Sequence, residues 1–207
     1  MIGETEVERL TGPQIKEAGQ VLGRAFYDDP AVIYVEPDDR KRLRPLTWFM
    51  GTAVRYGHVY GNEVFVNAKE VQGVAIWLPP GGYPLGLVRM IRAGMFLAPQ
   101  KLGPAPFVRF TRMMNWMERL HKQNTPPQHW YLQFLGVDPP RQGQGVGTAL
   151  MQPVLARADA DGLACYLETA KARNLPLYQR QGFQIVLEAD VPKGGPHIWT
   201  MMRAPRG

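Results

Sequence analysis

The most constraining feature of the sequence is a glycine-rich segment, QGQGVGTAL, that runs from Gln142 to Leu150. It follows a nearly continuous apolar run at 129–137, which is typical of a central strand buried on both faces. A helical pattern begins at about Gly145. A strand, a glycine loop and a helix in this order can bind a phosphate, because backbone N–H groups close on the anion and the helix N-terminus adds favourable partial charge. The segment therefore predicts a ligand that carries phosphate.

Two other phosphate-binding motifs fit the segment less well. A nucleotide P-loop needs a lysine directly before its Ser or Thr, and Gly147 stands before Thr148 here. A dinucleotide-binding fingerprint would follow the first strand of a repeated βαβ unit, with an acidic residue about 20 residues further on. Glu168 is in range, but the loop comes late in the chain and the section before it has an antiparallel pattern. The glycine pattern alone leaves the owner of the phosphate open.

The composition fits one globular domain over residues 1–207. Hydrophobic residues make up 45% of the chain and charged residues 20%, which favours a folded core over disorder. The 24 Lys and Arg exceed the 18 Asp and Glu, and the resulting net charge of +6 suits an anionic ligand. We expect no nucleic-acid partner, because the basic residues are scattered.

Cysteine usage and hydropathy narrow the class of protein further. The single Cys165 excludes an internal disulfide and a cysteine-rich zinc site, and its apolar surroundings predict a buried structural thiol. We expect no metal site. Residues 1–6 lack the apolar stretch of a signal peptide, and no uncharged window of about 18 apolar residues predicts a membrane span. The default prediction is a cytoplasmic protein without a membrane partner.

Periodicity and capping residues predict the order of elements. Helices are expected to begin at Thr11, at about Glu36, at about Gly145 and at Asn174, with a break or kink at Pro45 and a kink at Pro153. A turn is expected at 68–70 and a bulge at Gly61 and Asn62. The predicted strands cover residues 7–10, 59–67, 71–78, 129–137, 163–169, 183–191 and 197–203, of which the last two form a hairpin.

Residues 82–123 form a section rich in methionine and aromatic residues. Its pattern predicts two helices around a hinge at 98–104. Such a section can pack as ordinary helices, line an adaptable pocket for an organic molecule, or form a dimer contact. The sequence leaves these three alternatives open, including a homodimer.

Two motifs in the second half resemble those of the GCN5-related N-acetyltransferases, the GNAT family. The pattern Gln-x-x-Gly-x-Gly, which begins at Gln142, resembles motif A, and the segments LET at 167–169 and NLPLYQRQGF at 174–183 resemble motif B. Residues 130–203 resemble puromycin N-acetyltransferases in particular. The resemblance implies a mixed α/β fold with a central, mostly antiparallel sheet flanked by helices and a helical insert, at about 82–123, before the central strand. The N-terminal half, which supplies much of the substrate contact in this family, is less similar.

The resemblance implies acetyl-CoA as co-substrate and direct transfer in a ternary complex. The glycine loop would hold the pyrophosphate, and the strand before it would pair with the pantetheine arm and polarise the acetyl carbonyl. Asn174 and Tyr178 share a helix face; Asn174 would contact the cofactor arm and Tyr178 would act as the general acid on the departing thiolate. The implied cofactor-binding residues are Leu135, Gly136, Val137, Gln142, Gly143, Gln144, Gly145, Val146, Gly147, Thr148, Asn174 and Tyr178.

The sequence does not assign a general base. The candidates are Glu168, Asp29, Tyr34, Glu36 and His129, each of which is more often structural, and a water relay would suffice for an amine that is already partly neutral. We predict an N-acetyltransferase that acts on the amine of a small organic molecule, in the manner of an antibiotic acetyltransferase. The alternatives are a protein or peptide N-acetyltransferase and a non-catalytic acetyl-CoA-binding module.

Overall fold

The computed structural model describes residues 6–67 and 70–206, which form a seven-stranded sheet with helices on both faces. The first five residues and part of the predicted turn at 68–70 lie outside the described residues. The strands are β1 (Val7–Arg9), β2 (Glu63–Asn67), β3 (Gly73–Leu78), β4 (His129–Val137), β5 (Ala164–Thr169), β6 (Gln184–Asp190) and β7 (His197–Arg203). The helices are α1 (Ile15–Ala25), α2 (Pro30–Val35), α3 (Asp39–Tyr60), α4 (Leu87–Ala93), α5 (Ala98–Leu102), α6 (Pro104–Asn124), α7 (Val146–Ala160) and α8 (Leu175–Arg180).

The sheet has the order β1-β2-β3-β4-β5-β7-β6, and its pairs are antiparallel except for the parallel pair β4–β5. This mixed, mostly antiparallel sheet confirms the predicted fold class. The pairing of β4 with β5 runs from His129↔Ala164 to Leu132↔Leu167. In contrast, β4 stays paired with β3 as far as Val137. Beyond Leu132 the two parallel strands therefore diverge and open the sheet.

Strand alternation divides the core between the two faces of the sheet. Ala75 and Trp77 of β3 pack with α7, while Val74 and Ile76 of the same strand pack with α1 and α3. Cys165 of β5 is fully buried in the α7 layer, which confirms the predicted structural thiol. Each helical layer thus covers one face of the opened sheet.

The structure corrects several predicted boundaries near the N-terminus. A break or kink was predicted at Pro45, and no break is present, because α3 continues through it. Val59 and Tyr60 belong to α3 and not to a strand, and Gly61, with φ 81°, ends the helix in the left-handed conformation. The predicted bulge at Gly61 and Asn62 is therefore a helix C-cap.

Short helices account for the other corrections. No sequence pattern predicted α2, whose N-cap Asp29 accepts a hydrogen bond from Ala31 N at 2.9 Å. The predicted hinge at 98–104 is wrong, because residues 98–102 form α5 and Gly103, with φ 82°, separates it from α6. Prolines open these helices in the first turn, where the missing N–H removes no intrahelical bond.

An ion pair joins the end of the sheet to α7. The guanidinium of Arg203 donates two hydrogen bonds of 2.7 Å to Asp159 and a third, of 2.9 Å, to Gln181 O. The side chain of Arg203 is 3% exposed and that of Asp159 is 25% exposed. Hydrogen bonding to Arg203 lowers the pKa of Asp159 to about 2. The free energy of unfolding that this pair contributes should therefore fall when acid protonates Asp159.

We expect Asp159→Asn to lower the free energy of unfolding at neutral pH and to matter less in acid. The folded pKa lies below the usual value of 3.8, so the stabilising contribution is present above about pH 4 and is lost as the pH falls toward 2. Urea unfolding of wild type and variant at a series of pH values measures this. Asp161→Asn, at the exposed end of the same helix, is the matched control. A difference that stays constant from pH 5 to about 2 would contradict the role of this pair.

Candidate active site

A cleft of about 450 Å³ opens where β4 and β5 diverge. The end of α1, the glycine loop and α8 close it from the sides. Its lining includes all the predicted cofactor-binding residues except Gln144. The side-chain amide of Gln144 is exposed and donates a hydrogen bond to Pro140 O at 3.2 Å. Eleven of the twelve cofactor-binding residues predicted from the sequence thus line one cavity, and Gln144 lies outside it.

The glycine loop adopts a conformation that suits an anion. Gly143 and Gly145 have positive φ values of 77° and 85°, in a region that L side chains rarely adopt. Gly145 is the N-cap of α7, and among the described residues no side chain caps this first turn. Its N–H groups therefore face the cleft without an internal acceptor, and the helix dipole adds positive charge there.

Two side-chain contacts hold the loop against the sheet. Gln142 Nε2 donates to Val137 O at 3.0 Å, so the motif glutamine joins the loop to the last residue of β4. Arg24 of α1 forms two hydrogen bonds of 2.8 Å with Asp138 at the start of the loop. The loop is thus anchored on both the strand and the first helix before any ligand arrives.

The open edge of β4 faces the cleft at Leu135, Gly136 and Val137. Their pairing with β3 leaves the opposite backbone edge without a strand partner in β5. The absence of a side chain at Gly136 lets α1 approach, because a Cβ there would lie 2.7 Å from Leu22 Cδ2. An extended ligand can pair with such an edge through main-chain hydrogen bonds.

Asn174 and Tyr178 both line the cleft, one turn apart. Asn174 occupies the N-cap position of α8, but the predicted capping bond is not formed in the described structure. Tyr178 is 6% exposed and packs edge-on against Phe183. Burial, followed by the negative charge of Asp29, raises the pKa of the Tyr178 phenol. The phenol consequently stays protonated at neutral pH.

The candidate bases lie in different environments. Asp29 lines the cleft, but its Oδ1 caps α2, and burial raises the pKa of its carboxyl above the usual value. Tyr34 OH accepts a hydrogen bond from Arg112 at 3.4 Å, and Glu36 accepts one from Asp38 N at 3.1 Å. Neither Tyr34 nor Glu36 is among the residues that line the cleft.

Glu168 and His129 belong instead to a buried cluster completed by His121 of α6. His121 Nε2 lies 2.9 Å from His129 Nε2, and His121 Nδ1 lies 3.4 Å from Glu168 Oε1. His121 was not among the sequence-predicted residues, because a single histidine near the end of an apolar helix carries no local signal. The contact joins residues 47 positions apart, from 121 to 168, and exists only in the folded chain.

The basic residues of the cleft were also missing from the sequence-predicted site. Arg141, Lys171, Arg173 and Arg180 line it beside the glycine loop and α8. Lys171 and Arg173 also pair with Asp28, which ties the turn before α8 to the end of α1. These residues could have been predicted, because they lie close in sequence to the two motifs and the net charge had already indicated an anionic ligand.

The Met-rich insert shows the ordinary helix packing that was one of the three predicted alternatives. Met113 of α6 is buried with Val35 of α2 and Ile198 of β7, which is ordinary packing. Apolar side chains of the same section are exposed to solvent, namely Leu87, Val88, Ile91, Phe96, Val108 and Met114. The insert thus packs over the open sheet through α6 and leaves an apolar outer surface.

Known proteins are similar to this chain in sequence and in fold. The sequence profile described as the acetyltransferase (GNAT) family matches residues 104–183. An uncharacterized N-acetyltransferase of Schizosaccharomyces pombe is 26% identical over 181 residues, which cover 85% of this chain and 73% of the relative. Over residues 104–183 the chain is similar to the GNAT acetyltransferase family. This family uses acetyl-CoA as its co-substrate.

Solved structures extend the similarity to the whole fold of the chain. A Corynebacterium glutamicum structure, described as histone acetyltransferase HPA2 and related acetyltransferase, has a TM-score of 0.68 at 23% identity and covers 98% of this chain and 97% of its own. Arylalkylamine N-acetyltransferase 2 from Aedes aegypti has a TM-score of 0.63 at 14% identity. The match covers 97% of this chain and 99% of the Aedes aegypti chain. At these identities the likeness concerns the fold.

Membrane-spanning and metal-binding features are absent from the described residues. In the described parts of the chain, no helix is both long and apolar enough to cross a bilayer. Across the same residues, no group of three His, Cys, Asp or Glu side chains is arranged to hold a metal ion.

Proposed function

We propose that this GNAT acetyltransferase transfers the acetyl group of acetyl-CoA directly to the amine of a small organic molecule, within a ternary complex. The observation that carries the proposal is the single cleft that combines an anion-binding loop, an open strand edge and a buried phenol. Phosphate, an extended amide-containing arm and a thiolate leaving group are the three parts of acetyl-CoA that such a cleft accommodates. The residues present therefore fit the co-substrate.

The backbone of the glycine loop would hold the pyrophosphate, supported by basic side chains. Gly143 and Gly145 present their N–H groups without Cβ atoms, and the first turn of α7 adds its partial charge. Arg141 and Arg180 also line the cleft and would supply cationic contacts. An acetyl-CoA analogue without phosphates should consequently bind far more weakly than acetyl-CoA itself.

The edge of β4 would hold the pantetheine arm and polarise the acetyl carbonyl. Main-chain groups of Leu135 to Val137 can bond the amides of the arm in the manner of an added strand. A backbone N–H aimed at the acetyl oxygen stabilises the negative charge that develops there during attack. Tyr178 would then donate its phenolic proton to the departing thiolate, a role that its protonated state permits.

A small organic amine is the acceptor that the insert favours. Aromatic side chains of three elements meet above the open sheet, where Phe49 and Phe134 pack edge-on and Phe110 of α6 contacts Phe49. Such surroundings suit an apolar amine. The same fold occurs in the arylalkylamine enzyme of Aedes aegypti, which supports this class by analogy. A peptide acceptor is the second candidate, because the Corynebacterium glutamicum structure is described as a histone acetyltransferase.

A panel of acceptors tests the proposal. Thiol release from acetyl-CoA is measured with puromycin, tryptamine, spermidine, an aminoglycoside and a histone-tail peptide, and the acetylated product is identified by mass spectrometry. We expect the highest kcat/KM with one of the small amines. Preference for the peptide would favour the second candidate. Tight acetyl-CoA binding without turnover on any acceptor would indicate a non-catalytic binding module.

A further inference from the structure

We propose that the outer side of α4 and the turn after it bind the surface of an anionic lipid bilayer. The contact is made by an apolar patch of four side chains, Leu87, Val88 and Ile91 of α4 and Phe96 of the 3₁₀ turn Met95–Leu97. The patch lies outside the cleft, so its role does not depend on which amine the enzyme acetylates. Three observations support it: the projection of these side chains, the way α4 is held on α3, and the distribution of charge.

The apolar patch projects into solvent. Its exposed fractions are 68% for Leu87, 60% for Val88, 46% for Ile91 and 64% for Phe96. Scattered exposed apolar residues are ordinary, but several of them together on one short element mark an interaction site. At these exposures the side chains stand out from the surface instead of lining a groove, and a bound peptide or helix needs a groove. A lipid surface, in contrast, accepts projecting apolar side chains.

The inner side of α4 is held on α3, which sets the direction of the patch. Ala93 is 6% exposed, and the guanidinium carbon of Arg89 lies 5.5 Å from the ring centre of Tyr60. Directly before the helix, Gly86 N donates a hydrogen bond of 3.3 Å to Tyr56 OH. With about 3.6 residues per turn, positions 89 and 93 lie on the side of α4 opposite to positions 87, 88 and 91. The helical part of the patch therefore points away from the protein.

The charge around the patch is of one sign. Residues 71–117 contain five Lys and Arg and no Asp or Glu, whereas the rest of the chain contains 19 basic and 18 acidic residues. Arg89, Arg92 and Lys101 are exposed and take part in none of the ion pairs found among the described residues. The other two basic residues of the segment hydrogen-bond to α2. The partner of the patch should therefore carry negative charge.

An anionic bilayer fits this combination better than a second copy of the chain. In a two-fold dimer the patch would meet itself, so Arg92, one turn from Val88 on the helix, would lie near its own copy with no carboxylate in the segment to pair with it. A nucleic acid is bound mainly through phosphate contacts and would leave the apolar side chains exposed. In a bilayer, anionic headgroups pair with the cations and the acyl boundary takes up the apolar side chains.

A contact of this kind needs no long apolar segment. The expectation of no membrane partner rested on the lack of a spanning run in the sequence. The helix α4 has seven residues and would lie in the plane of the interface, with its apolar side buried about 5–10 Å deep. A short helix therefore suffices to bind the surface of a bilayer without crossing it.

Co-sedimentation with vesicles tests the proposal. The protein is mixed with vesicles of phosphatidylcholine alone and with vesicles that also contain about 30 mol% phosphatidylglycerol. We expect binding to the anionic vesicles to be at least about tenfold stronger and to weaken as salt is added, because each cation near an anionic surface contributes about fivefold. No binding to the anionic vesicles, or equal binding to both kinds, overturns the proposal.

Val88→Asp and Arg92→Glu separate the apolar and the electrostatic contributions. Val88→Asp should lower binding to the anionic vesicles at least about tenfold, and Arg92→Glu about 25-fold, because it removes one cation and adds one anion. Val186→Asp and Arg40→Glu are the matched controls, since they make the same changes at exposed positions of β6 and α3. Their binding should stay within about twofold of wild type. Losses of the same size in the controls would overturn the role of the patch.

A spin label reports whether the patch itself enters the lipid. The chain has one cysteine, Cys165, which is fully buried, so a nitroxide attached to Val88→Cys or Val186→Cys marks one position. In the vesicle-bound protein, the label at position 88 should be more accessible to oxygen than to a water-soluble nickel chelate. The label at position 186 should show the reverse. A label at position 88 that stays in water while the protein is bound overturns the proposal.

Light scattering tests the competing occupant. A dimer that Val88→Asp dissociates, found together with no binding to anionic vesicles, would assign the patch to a second copy and overturn the lipid contact. A monomer that binds the anionic vesicles supports the lipid contact. None of these measurements uses acetyl transfer, so a failure of the proposed function is distinguished from a failure of this proposal.

Discussion

Tyr178→Phe should lower kcat about 10²–10⁴-fold while acetyl-CoA binding stays largely intact. The phenol acts only when the thiolate departs, so its loss affects the transition state and not the bound ground state. Burial beside Phe183 keeps the ring in place, and phenylalanine preserves that packing. Steady-state kinetics with the best panel amine and calorimetry with acetyl-CoA separate the two quantities. An unchanged kcat would remove the general-acid role from Tyr178.

Tyr60→Phe is the control for this substitution. It deletes the same hydroxyl from the end of α3, where Tyr60 packs on Tyr56 outside the cleft. We expect kcat to remain at the wild-type value. A similar loss in both variants would indicate an indirect effect on the fold.

Gly145→Val should raise the Kd for acetyl-CoA about 10–100-fold, the cost of losing one or two hydrogen bonds to a charged group. The residue has φ 85°, which a β-branched side chain does not adopt without strain. Relief of that strain would rotate the N–H groups at the start of α7 away from the pyrophosphate. Calorimetric titration with acetyl-CoA measures the change.

Gly61→Val separates strain from binding. Gly61 has nearly the same φ, 81°, and equally open space where a Cβ would lie, but it caps α3 outside the cleft. Both variants should lose about 1–2 kcal/mol of unfolding free energy from the left-handed conformation. Only Gly145→Val should weaken acetyl-CoA binding, and equal Kd values for the two variants would contradict the loop's role.

Local sequence patterns were sufficient to predict the long strands and to find the motifs. The predicted β4, at 129–137, and the second strand of the hairpin, at 197–203, agree with the structure at both ends, because continuous apolar runs are bounded there by turn residues. Prolines were less informative. Neither Pro45 nor Pro153 ends its helix, because α3 and α7 continue through these positions. The short α2 carries too few residues for a periodic signal.

The sequence by itself indicated the resemblance to the GNAT family, the glycine loop and the position of Asn174 and Tyr178 on one helix face. These features depend on residues close together in the chain, where glycine conformation and helical spacing decide the geometry. The tertiary structure alone decided which distant groups meet. It placed the basic residues around the cleft, opened the sheet after Leu132, and brought His121 of the insert against Glu168 of β5. Contacts of this kind join elements that are far apart in the chain, and no local pattern encodes them.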